Sequence, residues 1–87
     1  MQVDSGKQKI LNSLASHVKE LRGDRSQFII ASENDISTSI ISTIERALKD
    51  PQLTTLFKVA EALNIKASKL VELIEKDLPK DFTLIDK

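Results

Sequence analysis

Apolar residues recur at every third or fourth position through five segments of this chain, and residues that favour turns separate the segments. Such spacing places apolar side chains on one face of an α-helix, whereas a half-buried strand would show strict alternation. The separating residues include Gly23, Asn34, Pro51, Asn64 and Pro79. The sequence therefore predicts an all-α fold with five helices, at about residues 6–22, 27–33, 38–48, 53–63 and 67–77.

The length and the scarcity of turn-forming residues limit the chain to one small domain. With 87 residues it can form a single core, which a partner subunit would help to complete. It contains two glycines and two prolines, too few for the many tight turns of a β-sandwich or barrel. We assign residues 1–78 to a domain in which helices 2 and 3 have helix-turn-helix geometry, and residues 79–87 to a C-terminal tail.

The composition argues against several classes of function. The chain has no cysteine and one histidine, which excludes disulfides, thiolate zinc sites and histidine-based metal clusters within one chain. That residue, His17, is expected to face solvent without binding a ligand. We therefore expect no enzymatic activity, cofactor, metal or small-molecule ligand. The longest apolar run, residues 28–31, is too short to cross a membrane, and the polar start is no signal peptide, so we expect a cytoplasmic protein.

The third predicted helix carries an unusual polar face. At about 100° per residue, Ile40, Ile41 and Ile44 fall on one side of this helix. Short hydroxyl side chains and one arginine share the other side: Thr38, Ser39, Ser42, Thr43 and Arg46. Hydroxyls bond base edges and phosphate oxygens, and threonine methyls contact thymine methyls. Two interpretations are open on this pattern alone, an ordinary solvated face and a face that reads DNA.

The order of residues around this face resembles that of a known family. Ser26-Gln27 opens helix 2 and is followed by Ile30-Ala31, "IS" at 36–37, "IIS" at 40–42, "IER" at 44–46, Pro51 and "LTTLFKVAEALNI" at 53–65. This run is similar to the Cro/cI-type helix-turn-helix domain (the XRE family) of phage repressors and bacterial regulators, over about residues 14–75. The resemblance implies a compact five-helix, lambda-repressor-like DNA-binding domain, with helices 2 and 3 as the helix-turn-helix.

The resemblance also implies roles for individual residues. The implied DNA-binding residues are Gln27, Ser37, Thr38, Ser39, Ser42, Thr43, Arg46, Lys49 and Gln52. Those on helix 3 match positions at base edges in the major groove, and Gln27 matches one that contacts phosphate and braces the base-reading residues. Arg46 and Lys49 match phosphate contacts, and Gln52 lies near the minor-groove edge. The implied partner is double-stranded DNA, bound at a two-fold operator by a homodimer.

Further positions carry structural expectations from the resemblance. Glu45 matches a glutamate that typically pairs with the arginine closing helix 1, here Arg22. Ala47 replaces a glycine, so helix 3 is expected to run on to residue 48. Phe28 and Ile29 stand at usually polar positions, where they either fill the gap left by a short linker or form an apolar patch for a partner.

The charge of the chain supports a second hypothesis. Between residues 22 and 52, four basic residues accompany five acidic ones, and the whole chain has zero net charge. Because non-specific DNA affinity comes largely from counterion release, we expect weak non-specific binding. The predicted function is a sequence-specific DNA-binding transcriptional regulator, with repression as the expected mode. The alternative is a protein–protein interaction module that uses the same fold without DNA.

Helix 5 has more apolar residues than one face of a small domain buries. The predicted dimerisation residues are Leu70, Leu73, Ile74 and Leu78, because an excess apolar strip at the end of a domain favours association. In the other interpretation, helix 5 only closes the core. Helix 4 is predicted to place its apolar residues on one side: Leu53, Leu56, Phe57, Ala60 and Leu63.

Overall fold

Five α-helices and no strand form the part of the chain that the computed structural model describes, residues 5–85. They are α1 (Ser5–Arg22), α2 (Gln27–Glu33), α3 (Thr38–Glu45), α4 (Leu53–Ala62) and α5 (Ala67–Asp77). The all-α prediction is therefore confirmed. The bounds of α2 and α5 are as predicted, and those of α1 and α4 differ by one residue at one end.

Serine side chains begin the two short central helices. Ser26 is the N-cap of α2, where its Oγ accepts a hydrogen bond of 3.0 Å from the backbone N–H of Ile29. Ser37 is the N-cap of α3 and accepts from the N–H of Ser39 at 3.2 Å. Each cap satisfies one of the donors that the first turn of a helix leaves free. The linker between α2 and α3 therefore ends at a helix start that a local hydrogen bond fixes.

The end of α3 differs from the prediction. Ala47 adopts a left-handed backbone with φ of 55°, and α3 stops at Glu45 instead of running on to residue 48. The N–H of Leu48 donates to the carbonyl of Thr43 at 3.0 Å, and that of Ala47 donates to Ile44 at 3.0 Å. These two bonds form a Schellman motif, which satisfies the last carbonyls of a helix and usually has glycine at the left-handed position. Tertiary structure has therefore imposed a glycine-like turn on an alanine.

The core lies where α1 packs against α3 and α5, with α2 on α3 and α4 on α5. Ile41 and Ile44 of α3 are almost fully buried there, and Ile40 is partly buried against them. The predicted apolar side of helix 3 therefore faces the core. The largest fully buried side chains are Ile30, Ile41, Leu70, Val18 and Val59.

Helix α4 does not bury all its apolar residues. Ala60 and Leu63 are buried and Leu56 is half-buried, but Leu53 is 69% exposed and Phe57 is 57% exposed. The predicted apolar side is thus divided between the core and the surface. Helix α4 packs mainly on α5, and the side of its first two turns that carries Leu53 and Phe57 remains exposed.

Helix α5 closes the core of the single chain. Leu70 is fully buried and Ile74 is 7% exposed, so neither offers a free surface for a second subunit. Leu73 is half-buried, and Leu78 packs against the core from its edge. The prediction that these residues form a dimerisation surface is therefore corrected for Leu70 and Ile74, since the core takes them up.

The described end of the chain consists of turns. After α5, the N–H of Phe82 donates to the carbonyl of Pro79 at 3.0 Å, and the hydroxyl of Thr83 donates to the carbonyl of Ile85. The predicted tail extends to residue 87, beyond the described residues. Between residues 5 and 85, no helix has the length and apolar character needed to cross a membrane.

Candidate nucleic-acid interface

The polar face of α3 lies on the surface of the protein. Thr38, Ser39 and Arg46 are exposed, while Ser42 and Thr43 are half-buried at the edge of the face. The opposite side of α3 supplies two of the most deeply buried residues of the core. Short hydroxyl side chains therefore lie at the surface along one side of a helix that the core holds in place, and Arg46 is exposed at its C-terminal end.

Several of the hydroxyls on this face bond within the chain. The Oγ atoms of Ser37 and Ser39 lie 2.7 Å apart, so one of them donates to the other. Thr43 donates its hydroxyl proton to the carbonyl of Ile40 at 3.0 Å. Thr43 therefore presents acceptor lone pairs and a methyl group to a partner. Thr38 and Ser42 keep free hydroxyl protons with respect to the described residues.

A groove of about 360 Å³ runs between α3 and the start of α4. Four of the predicted DNA-binding residues line it: Ser39, Thr43, Lys49 and Gln52. Ile40, Ile44 and Pro51 give it an apolar floor, and Asp50 adds one negative charge. The structure thus brings together predicted residues from the helix and from the following loop.

Thr55 also lines this groove, although it is not among the residues predicted from the sequence. It lies in the first turn of α4, three residues after Gln52. The spacing of Thr54 and Thr55 after Pro51 could have indicated that α4 begins with a hydroxyl near the loop. The apolar pattern of helix 4 did not indicate that Thr55, and not the exposed Thr54, would line the groove.

A buried carboxylate joins the ends of α1 and α3. Arg22 donates to Glu45 twice, from Nε to Oε2 at 2.7 Å and from Nη2 to Oε1 at 2.8 Å. Glu45 is 3% exposed and Arg22 has a side chain 21% exposed, so the two-point contact is largely shielded from water. The predicted pairing of these two residues is confirmed.

Gln27 completes this network from the start of α2. Its Nε2 donates to Oε1 of Glu45 at 3.0 Å. The carboxylate therefore ties three helices together at one point, at the end of the helix that carries the hydroxyl face. Gln27 is half-buried, and one of its amide protons is held by Glu45. Its other amide proton remains available as a donor, and its Oε1 as an acceptor.

Charge and burial act against each other at Glu45. Burial raises the pKa of its carboxyl. The hydrogen bonds from Arg22 and Gln27 and the charge of Arg22 lower that pKa by more than burial raises it, so the net pKa lies below the ordinary 4.5. The hydrogen bond to Glu45 raises the pKa of Arg22. Glu45 is thus ionised in the folded protein, and its role is to fix α3 in place.

The basic residues of this region have different tasks. Arg25 donates to the carbonyls of Arg22 and Leu21 at 3.4 Å, which caps the end of α1. Arg46 is exposed at the C-cap of α3, on the side facing α1 and away from the groove. Lys49 is exposed and lines the groove itself. Of the four basic residues in this region, Arg46 and Lys49 are therefore the ones whose exposed side chains are not held by Glu45 or by backbone carbonyls.

A second polar cluster lies between α1 and the end of α5. Ser13 donates to Oδ2 of Asp77 at 2.6 Å, and Nε2 of His17 lies 2.8 Å from the same oxygen. The Ser13 hydroxyl and then His17 lower the pKa of Asp77. The side chain of His17 is 17% exposed, so the expectation that it faces solvent is wrong. The contact of His17 with Asp77 joins α1 to α5, and neither residue belongs to the hydroxyl face of α3.

The two large apolar residues at the start of α2 are exposed. Phe28 is 68% exposed and Ile29 is 46% exposed. Of the two alternatives for them, filling a gap behind the short linker is therefore wrong. They leave apolar surface at the first turn of α2, next to Gln27.

The chain matches no protein-family model, no curated protein and no solved structure. A function for this protein therefore has to be inferred from its own residues and their arrangement.

Proposed function

We propose that this protein is a sequence-specific DNA-binding transcriptional regulator of the Cro/cI helix-turn-helix type, with α2 and α3 as the helix-turn-helix. The observation that carries the proposal is the exposed hydroxyl face of α3 beside a groove lined by Lys49 and Gln52. The sequence resemblance from Ser26 to Ile65 supports it independently. The protein acts by occupying a promoter, with repression as the simplest outcome.

In the proposed complex, α3 lies in the major groove of DNA. Thr38 and Ser42 offer free hydroxyl protons to base acceptors, while Thr43 offers lone pairs and a methyl group. Lys49 and Arg46 contact phosphates on either side of the helix, and Gln27 contacts one at the start of α2. Two copies bind a two-fold operator, with recognition helices about 34 Å apart, one turn of DNA.

Few positive charges in this region are available to attract DNA, so binding depends on the fit of specific contacts. The charge of Arg22 is offset by Glu45, and the guanidinium of Arg25 is directed to backbone carbonyls, which leaves few cations for direct phosphate contacts. Few phosphate charges are neutralised per protomer, and log K falls with log salt in proportion to that number. The salt dependence of binding is therefore shallow, and specific contacts supply much of the affinity.

Selection of bound duplexes from a random pool tests the proposal. The double variant Ser39→Ala with Thr43→Ala removes two hydroxyls from the face without disturbing the core. Its affinity for the selected duplex is expected to fall about tenfold or more. The matched control, Ser32→Ala with Ser68→Ala, removes two exposed helical hydroxyls outside the face and is expected to bind as wild type.

Two results of this experiment count against the proposal. One is a pool that shows no enriched sequence after repeated selection. The other is a double variant that binds the selected duplex with wild-type affinity while its thermal midpoint is unchanged. The second result would mean that the protein binds DNA through a surface other than the hydroxyl face of α3.

The exposed pair Phe28 and Ile29 favours a second candidate function, a protein-interaction module without DNA binding. Acidic residues exceed basic ones around the proposed helix-turn-helix, which supports the same candidate. The variant Phe28→Ser with Ile29→Ser separates the two functions, because it removes the apolar surface and leaves α3 intact. Unchanged binding to the selected duplex supports the DNA proposal, whereas loss of a protein partner from the same variant supports the alternative.

A further inference from the structure

The groove between α3 and the start of α4 has two chemically different sides, and we refer to it as the α3–α4 groove. The side formed by α3 includes Ile40, Thr43 and Ile44. The opposite side, formed by the loop after α3, includes the ammonium group of Lys49 and the amide of Gln52. The long side chains that can donate hydrogen bonds therefore lie on one side, and most of the apolar surface lies on the other.

The hydroxyl of Thr43 is occupied within α3. It donates to the carbonyl of Ile40 at 3.0 Å, so its proton is already used. The same bond restricts rotation of the side chain, which holds the methyl group in one position. Ile40 is half-buried and packs against the core, so part of its side chain remains exposed. The α3 side of the groove therefore has apolar surface and no free hydroxyl proton at Thr43.

The apolar floor of the α3–α4 groove is formed before anything binds. Ile44 is 2% exposed and belongs to the core, and Ile40 packs against that core. Pro51, which also lines the floor, is half-buried, and its ring fixes its backbone φ. A group that binds on this floor does not have to order it first, which favours binding.

The charges that line the groove cancel. Lys49 and Asp50 are exposed neighbours in the sequence, and both line the groove. A phosphate site is expected to carry net positive charge, whereas a carboxylate beside an apolar floor disfavours an anion. Lys49 has a flexible side chain that can extend from the rim to a phosphate. The floor itself suits a neutral group with an apolar edge.

Among the base edges of the major groove, a pyrimidine with a C5-methyl group matches this floor. Thymine presents that methyl group and one acceptor, O4, whereas guanine presents two acceptors and no apolar group. A guanine edge against Ile40 and Thr43 would leave its acceptors without donors from α3, which is unfavourable. A methyl group there covers apolar surface, and the amide of Gln52 on the opposite side offers a donor to O4.

We propose that the α3–α4 groove recognises the C5-methyl group of a pyrimidine in the bound duplex, through contact with Ile40, Thr43 and Pro51. Thymine carries this group in ordinary DNA, and 5-methylcytosine carries it in methylated DNA. The inference rests on the proposed function, because it assigns base specificity to the same DNA-binding face. It makes Thr43 a specificity-determining residue through its methyl group and not through its hydroxyl.

Removal of single methyl groups from the selected duplex tests the inference. Each thymine of the enriched half-site is replaced in turn by deoxyuridine, which lacks only the methyl group. Wild type is expected to bind about fourfold more weakly when the methyl group in the groove is removed, since burial of one such group accounts for roughly that factor. An enriched half-site without thymine, or one in which every replacement leaves the affinity unchanged, overturns the inference.

The variant Thr43→Ser assigns the effect to the groove. It removes the methyl group and keeps the hydroxyl that bonds to the carbonyl of Ile40, so α3 is expected to remain folded. The affinity ratio between the thymine and deoxyuridine duplexes is expected to fall from about four to less than about two. The matched control is Thr38→Ser, which removes a methyl group from an exposed position of α3 that is not among the described residues lining the groove. If Thr43→Ser keeps the wild-type ratio, or if Thr38→Ser loses it equally, the groove does not recognise the methyl group.

A cytosine at the same position separates the methyl group from the rest of the thymine edge. The T·A pair is replaced by C·G, with either cytosine or 5-methylcytosine in the strand that carried thymine. The duplex with 5-methylcytosine is expected to bind about fourfold more tightly than the duplex with cytosine. Equal affinities would mean that the protein recognises O4 of thymine, which overturns the inference.

The failure of the inference and that of the proposed function give different results. If no duplex is enriched from the random pool, the proposed function fails, and the inference fails with it. If a duplex is enriched but its affinity does not depend on any methyl group, the proposed function stands and only the assignment of the α3–α4 groove is wrong.

Discussion

Replacing Ala47 by glycine is expected to stabilise the protein. Ala47 has φ of 55°, in the left-handed region where a Cβ atom approaches the following carbonyl. The backbone there is fixed by the two hydrogen bonds that end α3, and its carbonyl accepts from Nε2 of Gln8 at 3.3 Å. The turn is therefore imposed by the fold, and the alanine side chain opposes it.

The size of the effect follows from two opposing contributions. An alanine at positive φ costs about 1 kcal/mol relative to glycine, after allowing for the greater freedom of glycine in the unfolded chain. Ala47 is half-buried, so losing its methyl group sacrifices about 0.4 kcal/mol of burial. The net gain for Ala47→Gly is about 0.6 kcal/mol, which corresponds to a rise in thermal midpoint of about 2–5 °C for a domain of this size.

Thermal and urea unfolding followed by circular dichroism measure this gain. Asn64→Gly is the matched control, because Asn64 holds the same position after α4 with φ of 60° and asparagine tolerates that backbone better. Its gain is expected to be smaller than that of Ala47→Gly. A lower midpoint for Ala47→Gly, or an equal gain in both variants, would refute the argument that strain at Ala47 is relieved.

The remaining predictions concern the carboxylate at the end of α3. Glu45→Gln is expected to lower the free energy of unfolding by about 2 kcal/mol, because it leaves Arg22 without its charged partner in a largely shielded site. Its control is Glu72→Gln at an exposed position, where the partner is Lys69 at 3.2 Å, and this variant is expected to leave the urea midpoint unchanged. Because the folded pKa of Glu45 lies below the ordinary 4.5, its stabilising effect is fully present above that pH and is lost as the pH falls through the folded value. Urea midpoints measured from neutral pH to about pH 3 should therefore fall more steeply for wild type than for Glu45→Gln, and parallel profiles would contradict this assignment.

Local chemistry made much of the fold predictable. Ser26 and Ser37 have side chains that cap helices, and both begin helices at the expected residues. Periodicity placed Ile41 and Ile44 on the buried side of α3. The pair of Arg22 and Glu45 was predicted through the resemblance, and it forms because a carboxylate buried at that position needs a two-point donor.

The errors arose where neighbouring helices decide the outcome. Helical spacing indicates which residues share a face but not whether another helix covers it, so Leu53 and Phe57 were grouped with the buried residues of α4. For the same reason, Leu70 and Ile74 were left for a partner although α1 and α4 cover them. Ala47 adopts a left-handed backbone that an alanine side chain disfavours, so the residue itself did not indicate that α3 ends before it, although the resemblance places a glycine there.

The short length of α3 explains why its ends are so heavily fixed. Eight residues make two turns, and an isolated helix of that length is not stable in water. Ser37 holds the first turn, the Schellman bonds hold the last, and Glu45 ties the last turn to Arg22 and Gln27. Small hydroxyls have little reach, so they can discriminate between bases only if the backbone beneath them is held in one position. A short α3 that is fixed at both ends is therefore what the proposed reading of a duplex by small hydroxyls requires.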